Sequence, residues 1–175
     1  VELAQGDPNP AHRAEAVKAI GRSRRSGSEM MLQALIRETP SSATTAFHPD
    51  NLPKRAALQW LDPSTPANSR LARSLAADPG EDPGVRRKAL ALVGWGRRPG
   101  ALSFLSGLAE STPDEEVVVL KGIIEGLTFL DQPAAERIID HRLQALTSRA
   151  YRSLLIRARK RASQQVRLSR PGEGV

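Results

Sequence analysis

The sequence of 175 residues contains no cysteine, which excludes disulfides and thiolate metal sites. Aromatic residues make up only 3% of the chain, and no run of alternating β-branched residues indicates a strand. No apolar stretch approaches the roughly 20 residues that a membrane-spanning helix needs. Alanine and leucine must therefore form most of the core, which favours closely packed helices over a β-sheet.

The compartment is not fixed by the lack of cysteine, because disulfide-free domains occur in the cytoplasm and the periplasm alike. The chain begins at Val1 rather than at methionine, which is typical of a processed or excised piece. We expect a cytoplasmic location, with a periplasmic or a membrane-anchored precursor as the alternatives. Arginine outnumbers lysine by 21 to 5, a ratio typical of a GC-rich bacterial source.

A pattern of helix pairs recurs along the chain. Four segments enter a helix at a proline and continue with small and apolar residues at helical spacing; they begin at Pro10, Pro53, Pro83 and Pro113. Alignment of Ala16, Ala57, Ala89 and Gly122 gives steps of 41, 32 and 33 residues, which are typical of stacked helix pairs. We predict a single all-α domain over residues 1–175. Its helix pairs and its terminal helix are expected at 8–38, 53–77, 83–110, 113–147 and 148–166.

Helix starts are predicted from residues that can cap a helix. Asn9 and Asp82 each precede a proline and are expected to be N-caps. Two capping boxes are also predicted, from Ser26 with Glu29 and from Thr112 with Glu115. The segment 39–52 (TPSSATTAFHPDNL) has no helical period and lengthens the first repeat step, so we expect a functional or mobile loop there.

Two segments resemble a known family. Residues 82–94 (DPGVRRKALALVG) and 9–21 (NPAHRAEAVKAIG) resemble the first helix of HEAT repeats, and are most similar to the short bacterial form in phycobiliprotein-lyase-type HEAT-like proteins. They share an Asp-Pro or Asn-Pro turn, an arginine, an alanine at a close helix contact and a glycine near the helix end. The second and fourth copies keep only part of this pattern. The resemblance implies a right-handed α-solenoid whose concave face binds other macromolecules, although this scaffold serves many functions.

Positive charge is concentrated at the C-terminal end. Residues 1–140 carry 17 Lys or Arg and 18 Asp or Glu, a net charge of −1, whereas residues 141–175 carry 9 and 1, a net charge of +8, so the last segment accounts for the net charge of +7. The cations of the terminal helix and its tail are Arg149, Arg152, Arg157, Arg159, Lys160, Arg161 and Arg167. Such a helix favours an acidic protein surface, nucleic-acid phosphates or an anionic membrane surface. The alternative is a solvated capping helix whose cations complement its dipole.

An acidic protein partner is the first expectation, because Tyr151 is the one aromatic residue that the terminal helix offers for base stacking. We predict a non-catalytic scaffold or adaptor whose contact surface comes from the inner faces of successive second helices. Nucleic-acid binding through the arginine-rich helix is the alternative. Trp60 and Trp95 are expected to be buried, with exposed binding hot spots as the other interpretation.

Other candidate sites have simpler explanations. The histidines at 12, 48 and 141 lie in separate segments, none with a second ligand at i+3 or i+4, so no metal site is expected. The acids at 114–116 are better explained as partners of a helix dipole than as an acid–base pair. The segment Gly94-Trp-Gly96 follows a helix rather than a strand, so its glycines should end that helix instead of holding a phosphate.

Enzymatic relatives of the resembled family include bilin lyases and DNA glycosylases that act on alkylated bases. The first imply a longer superhelix with a pigment pocket, and the second imply a pocket of Trp, Asp and Arg contributed by several repeats. Neither set of residues maps onto this chain. We therefore expect no catalysis and no cofactor.

Overall fold

The computed structural model describes residues 2–23, 25–39 and 48–169. Within these ranges the chain forms ten α-helices and one 3-10 turn, and it has no β-strand. The helices are α1 (Glu2–Gly6), α2 (Pro10–Ser23), α3 (Ser28–Glu38), α4 (Leu52–Trp60), α5 (Pro66–Ala77), α6 (Pro83–Gly96), α7 (Ala101–Ser111), α8 (Val117–Leu130), α9 (Pro133–Ala145) and α10 (Arg149–Leu168). The predicted all-α class is confirmed. Among the described helices, none is both long enough and apolar enough to cross a membrane.

The helices pack in a regular order along the chain. The first helices of the pairs contact one another in sequence, α2 with α4, α4 with α6, α6 with α8, and α8 with α10. The second helices lie against this row, with α3 on α4, α5 on α6, α7 on α8 and α9 on α8 and α10. One hydrophobic core cluster runs from Ala4 in α1 to Leu155 in α10. Because every pair contributes to it, no pair buries its apolar face alone.

Helices α6 and α8 pack backbone against backbone. A Cβ atom added at Gly94 would overlap the carbonyl oxygen of Gly126, and one added at Gly122 would lie 2.7 Å from Cα of Arg87. Glycine is therefore required here for close approach. The segment 94–96 does lie in the last turn of α6, but Arg97 rather than a glycine takes the left-handed conformation that ends it, with φ of 48°. The prediction that these glycines end the helix misses the contact made by Gly94.

The two predicted N-caps form, whereas the first predicted capping box does not. The Asp82 carboxylate accepts a hydrogen bond from the Val85 amide at 2.9 Å, and the Asn9 side chain accepts one from the Ala11 amide at 2.9 Å, as expected. The capping box from Ser26 and Glu29 is wrong. Gly27, with φ of 89°, stands at the start of α3 without any side-chain cap. Glu29 instead accepts hydrogen bonds from Thr65 and Asn68. The acid that the local pattern predicts as part of a cap therefore makes a tertiary contact.

The predicted start of α8 is also wrong. The helix begins at Val117, four residues after Pro113, and no side chain caps it. Two of the acids expected to lie in its first turn bind arginines of other helices instead. Asp114 pairs with Arg142 at 2.8 Å, and Glu116 pairs with Arg86 at 2.8 Å. These long-range ion pairs hold the acids in the connection before the helix, which a local pattern cannot show.

Buried charges join the second helix pair to the third. The ammonium group of Lys54 lies 2.5 Å from the Glu81 carboxylate, and the two side chains are 5% and 2% exposed. Lys54 also donates to the carbonyl oxygen of Thr39 at 3.3 Å. Of the predicted 39–52 loop, residues 40–47 lie outside the described residues. The end of the loop forms the 3-10 turn Pro49–Asn51, which packs against α2 and α4.

Candidate ligand-binding groove

A groove of about 380 Å³ opens on the side of the row formed by α4, α6, α8 and α10. The expectation that second helices supply the contact surface does not hold for this groove, because first helices line it. The reason lies in α6, which carries two apolar stripes. Val85, Ala89 and Leu90 are buried in the core, whereas Leu92 and Trp95 remain partly uncovered and face the groove.

Aromatic rings form one end of the groove. The rings of Trp95 and Phe129 meet edge to face, with centroids 4.7 Å apart and an interplanar angle of 84°. Phe129 is buried, but Trp95 keeps 38% of its surface exposed, so the expectation of a buried Trp95 is wrong. An indole that is held by a neighbouring ring and open to solvent can contact a ligand with little loss of side-chain freedom.

Trp60 has a different environment. It is half-buried and packs on α2, where its ring leaves no room for a Cβ atom at Gly21. The structure therefore separates the two tryptophans, and within the described residues only Trp95 lines the groove.

Basic side chains surround the other part of the groove. Arg87 binds Glu125 through two hydrogen bonds of 2.9 and 2.7 Å. Lys88 and Arg161 also line the groove, and neither makes a salt bridge with any residue in the described ranges. Lys121 lies beside them, close enough for the charges of Arg87 and Arg161 to act on it. These four residues, Arg87, Lys88, Lys121 and Arg161, form a cation cluster that places four positive charges around the single carboxylate of Glu125.

The crowding of like charges is reflected in the lysine pKa values. Partial burial lowers the pKa of Lys88 below its ordinary value, and the positive charge of Arg87 lowers it further. Burial likewise lowers the pKa of Lys121, again with Arg87 as the next cause. Glu125 opposes both shifts without cancelling them. An anion placed in the groove would relieve this repulsion, because it would favour the charged form of both lysines.

The seven cations predicted on the terminal helix fall into three groups. Arg152 and Arg159 hold α10 in place. Arg152 donates to the carbonyl oxygen of Leu146, and Arg159 bridges Glu136 and Asp140, the latter at 2.7 Å. Arg161 faces the groove. The remaining four side chains are exposed on α10, namely Arg149, Arg157, Lys160 and Arg167.

Three members of the cation cluster, Arg87, Lys88 and Lys121, were missed by the sequence interpretation. Lys88 and Lys121 each stand immediately before an aligned small residue, Ala89 and Gly122 respectively. Arg161 stands in the same way before the buried Ala162. The corresponding positions before Ala16 and Ala57 hold Glu15 and Ala56, so the repeat pattern alone does not identify these cations. The overall near-neutral charge of residues 1–140 concealed the cluster, because within the described ranges Glu125 is the one acid of that segment that lines the groove.

The described residues contain no group of three or more His, Asp or Glu side chains that could hold a metal ion. His12 lies 3.3 Å from Asp7, His48 lies 3.6 Å from Asp50, and His141 is exposed. The histidines are thus separated from one another, as their positions in the sequence indicate.

The chain matches no protein-family model, no curated protein and no solved structure. Its function is therefore inferred from the groove and from the exposed side of α10.

Proposed function

We propose that this protein is a non-catalytic interaction module that binds an acidic segment of another protein in the groove. The observation that carries the proposal is the cation cluster beside the exposed ring of Trp95. Four positive charges around one carboxylate attract an acidic ligand, and an arginine- and tryptophan-lined surface is typical of binding hot spots. The apolar wall, which includes the partly exposed Ala91 and Leu92, offers contact area to aliphatic or aromatic side chains.

The proposal extends to the arrangement of the helices. We infer that the pairs stack as a right-handed HEAT-like α-solenoid. The contacts of α2, α4, α6, α8 and α10 in chain order support this, as do the Asn-Pro and Asp-Pro entries to α2 and α6. In such a solenoid the groove would lie on the face formed by successive first helices, and a ligand would contact the protein there.

A non-catalytic role is supported by the hydrogen bonds of Glu125 with Arg87. Among the described residues it is the carboxylate that lines the groove, and its two hydrogen bonds from Arg87 fix it as the partner of a cation. An acid–base mechanism with two carboxylates would need a second such group within reach. The geometry favours Glu125 as a residue that orients Arg87 for ligand binding.

A second candidate function is nucleic-acid binding on the exposed side of α10. Arg149, Arg157, Lys160 and Arg167 are exposed there, and α10 contains no acid. From Arg149 to Arg167 the helix rises about 27 Å, a length over which several phosphates could be contacted. This surface differs from the groove, so the two functions can be tested separately.

The proposal is tested by calorimetric titration with 12-residue peptides of Glu and Leu, with their Gln counterparts, and with duplex DNA. The groove variant Lys88→Glu/Lys121→Glu should weaken binding of the acidic peptide by about tenfold or more, because it reverses two charges of the cation cluster. The matched variant Arg157→Glu/Lys160→Glu, on the exposed side of α10, should bind the peptide like the wild type.

Acidic-peptide binding that is unchanged in the groove variant would overturn the proposal. Duplex binding at low salt that is lost in the α10 variant, together with no peptide binding, would establish the second candidate instead. The Gln peptides control for apolar contacts, since they keep the shape of the ligand and remove its charge.

A further inference from the structure

The two kinds of binding group lie at opposite ends of one pair of helices. Arg87 contacts Gly122, and Leu90 contacts Gly126 further along, so α6 and α8 run in the same direction. Lys88 and Lys121 both precede the aromatic residues of their own helix, Trp95 and Phe129. The basic end of the groove is therefore formed by the N-terminal parts of both helices, and the aromatic end by their C-terminal parts.

The distance between these ends follows from helix geometry. Seven residues separate Lys88 from Trp95, which corresponds to about 10 Å along α6 at a rise of 1.5 Å per residue. Eight residues separate Lys121 from Phe129, about 12 Å along α8. A ligand that uses both ends must place an apolar side chain and an anionic side chain roughly 10 Å apart on the same side of its backbone.

Resting on the proposed function, we infer that the groove recognises an extended segment in which an aromatic or aliphatic anchor and a carboxylate are three residues apart. In the polyproline II conformation, three residues make one turn and rise about 9 Å, so positions i and i+3 project to the same side at the required distance. In a β-strand, by contrast, positions i and i+3 project to opposite sides.

A helical ligand fits the groove less well. An amphipathic helix binds through apolar anchors at i, i+3 or i+4, and i+7, which need a continuous apolar floor. Here the floor is apolar near Trp95 and Leu92 but charged at Arg87 and Lys88. An extended segment needs just one apolar anchor, which the exposed face of Trp95 can receive, while its carboxylate meets the cation cluster.

The test uses proline-rich host peptides that carry one Phe and one Glu separated by one to seven positions, in both orders. Binding is followed by Trp95 fluorescence in a Trp60→Phe background and by calorimetry. We expect one order with a separation of three to bind about tenfold more tightly than separations of two or four, because those place the two side chains on different sides of the host.

Two variants test which end of the groove binds the apolar side chain and which end binds the carboxylate. Trp95→Ala should remove the preference for Phe over Ala at the anchor and keep the preference for Glu over Gln. Lys121→Gln should weaken the preference for Glu over Gln and keep the preference for Phe over Ala, and it removes a side chain that makes no hydrogen bond in the described part of the chain. Urea unfolding of each variant verifies that it is folded.

Three outcomes count against the inference. Acidic peptides that bind the groove equally at every separation would overturn the spacing and leave the proposed function intact. A maximum at a separation of seven in an alanine-rich helical host would show that the ligand is a helix. If no acidic peptide binds at all, the proposed function fails and the inference fails with it.

Discussion

At the scale of single residues, three glycines determine how closely the two central helices of the groove approach. We expect Gly94→Ala to lower the free energy of unfolding by about 1–3 kcal/mol, because the added methyl group would overlap the carbonyl oxygen of Gly126 and push α8 away from α6. Gly107→Ala on α7 is the matched control, since nothing lies within 4 Å of a Cβ atom there. It should stabilise the protein by up to about 1 kcal/mol.

Urea unfolding followed by circular dichroism measures both glycine variants. Equal stability of Gly94→Ala and the wild type would contradict the backbone contact between α6 and α8. A lower free energy of unfolding in Gly107→Ala would indicate that replacing a helical glycine destabilises this protein irrespective of the surroundings of that glycine.

The small residues at these contacts could be predicted in part from the sequence. The alignment of Ala89 with Gly122 identifies a position where helices approach closely, and both residues are fully buried. The approach of Gly94 to Gly126 could not be predicted, because it depends on the angle at which α8 crosses α6. Likewise the cation cluster joins α6, α8 and α10, which are distant in the sequence.

At the scale of elements, Arg159 joins α10 to α9 through ion pairs with two acids. We expect Arg159→Gln to lower the free energy of unfolding by about 1 kcal/mol, because it removes contacts with both Glu136 and Asp140. The partners are partly exposed, so solvent screening keeps the effect small. Arg157→Gln, on the exposed side of the same helix, should change stability by less than about 0.5 kcal/mol.

The difference between these two arginine variants is measured by urea unfolding at low and at high salt. It should shrink at high salt, since screening weakens ion pairs near the surface. If Arg157→Gln lowered the free energy of unfolding more than Arg159→Gln does, this result would contradict the orientation of α10 in the fold.

The bounds of the helices were predictable where their ends are determined locally. Apart from α1, which was not predicted, and the start of α8, helix ends lie within about two residues of their predicted positions. Asn9 and Asp82 accept hydrogen bonds from amides of their own helices, and a local pattern predicts both. Neither predicted capping box forms. Glu29 binds Thr65 and Asn68 instead of capping α3. Asp114 and Glu116 bind arginines of other helices in the connection before α8, where the predicted start was wrong.

At the scale of the whole molecule, the proposed binding of an acidic ligand should depend on pH through two lysines of the cation cluster. The pKa values of Lys88 and Lys121 are lowered in the free protein, and an acidic ligand would raise them. Affinity for acidic peptides should therefore be greatest when both lysines are protonated. It should fall as the pH rises through their lowered pKa values, toward the ordinary lysine value of 10.5.

Stability should follow the opposite course over the same alkaline range. The folded protein releases protons from Lys88 and Lys121 at lower pH than the unfolded chain does, so their repulsion disappears from the folded state first. These two groups thus make the folded state relatively more stable as the pH rises toward 10.5. At the pH at which protonated Lys88 and Lys121 should bind an acidic ligand most tightly, they also destabilise the folded state most.

Calorimetry between neutral and alkaline pH measures this dependence, and buffers with different heats of ionisation reveal the proton uptake. The control is Lys88→Arg/Lys121→Arg, which should keep its affinity in the alkaline range because arginine stays protonated. An equal loss of affinity in this variant and in the wild type would show that other groups cause the pH dependence.

The contact between Gly94 and Gly126 has a consequence for the rate at which the proposed ligand should bind. Because α6 and α8 touch through backbone atoms, few side chains between them can rearrange, and the floor of the groove keeps its shape before a ligand arrives. Association then needs no slow opening step. Its rate constant should rise in proportion to electrostatic steering by the cations, while dissociation alone distinguishes a well-matched segment from a poorly matched one.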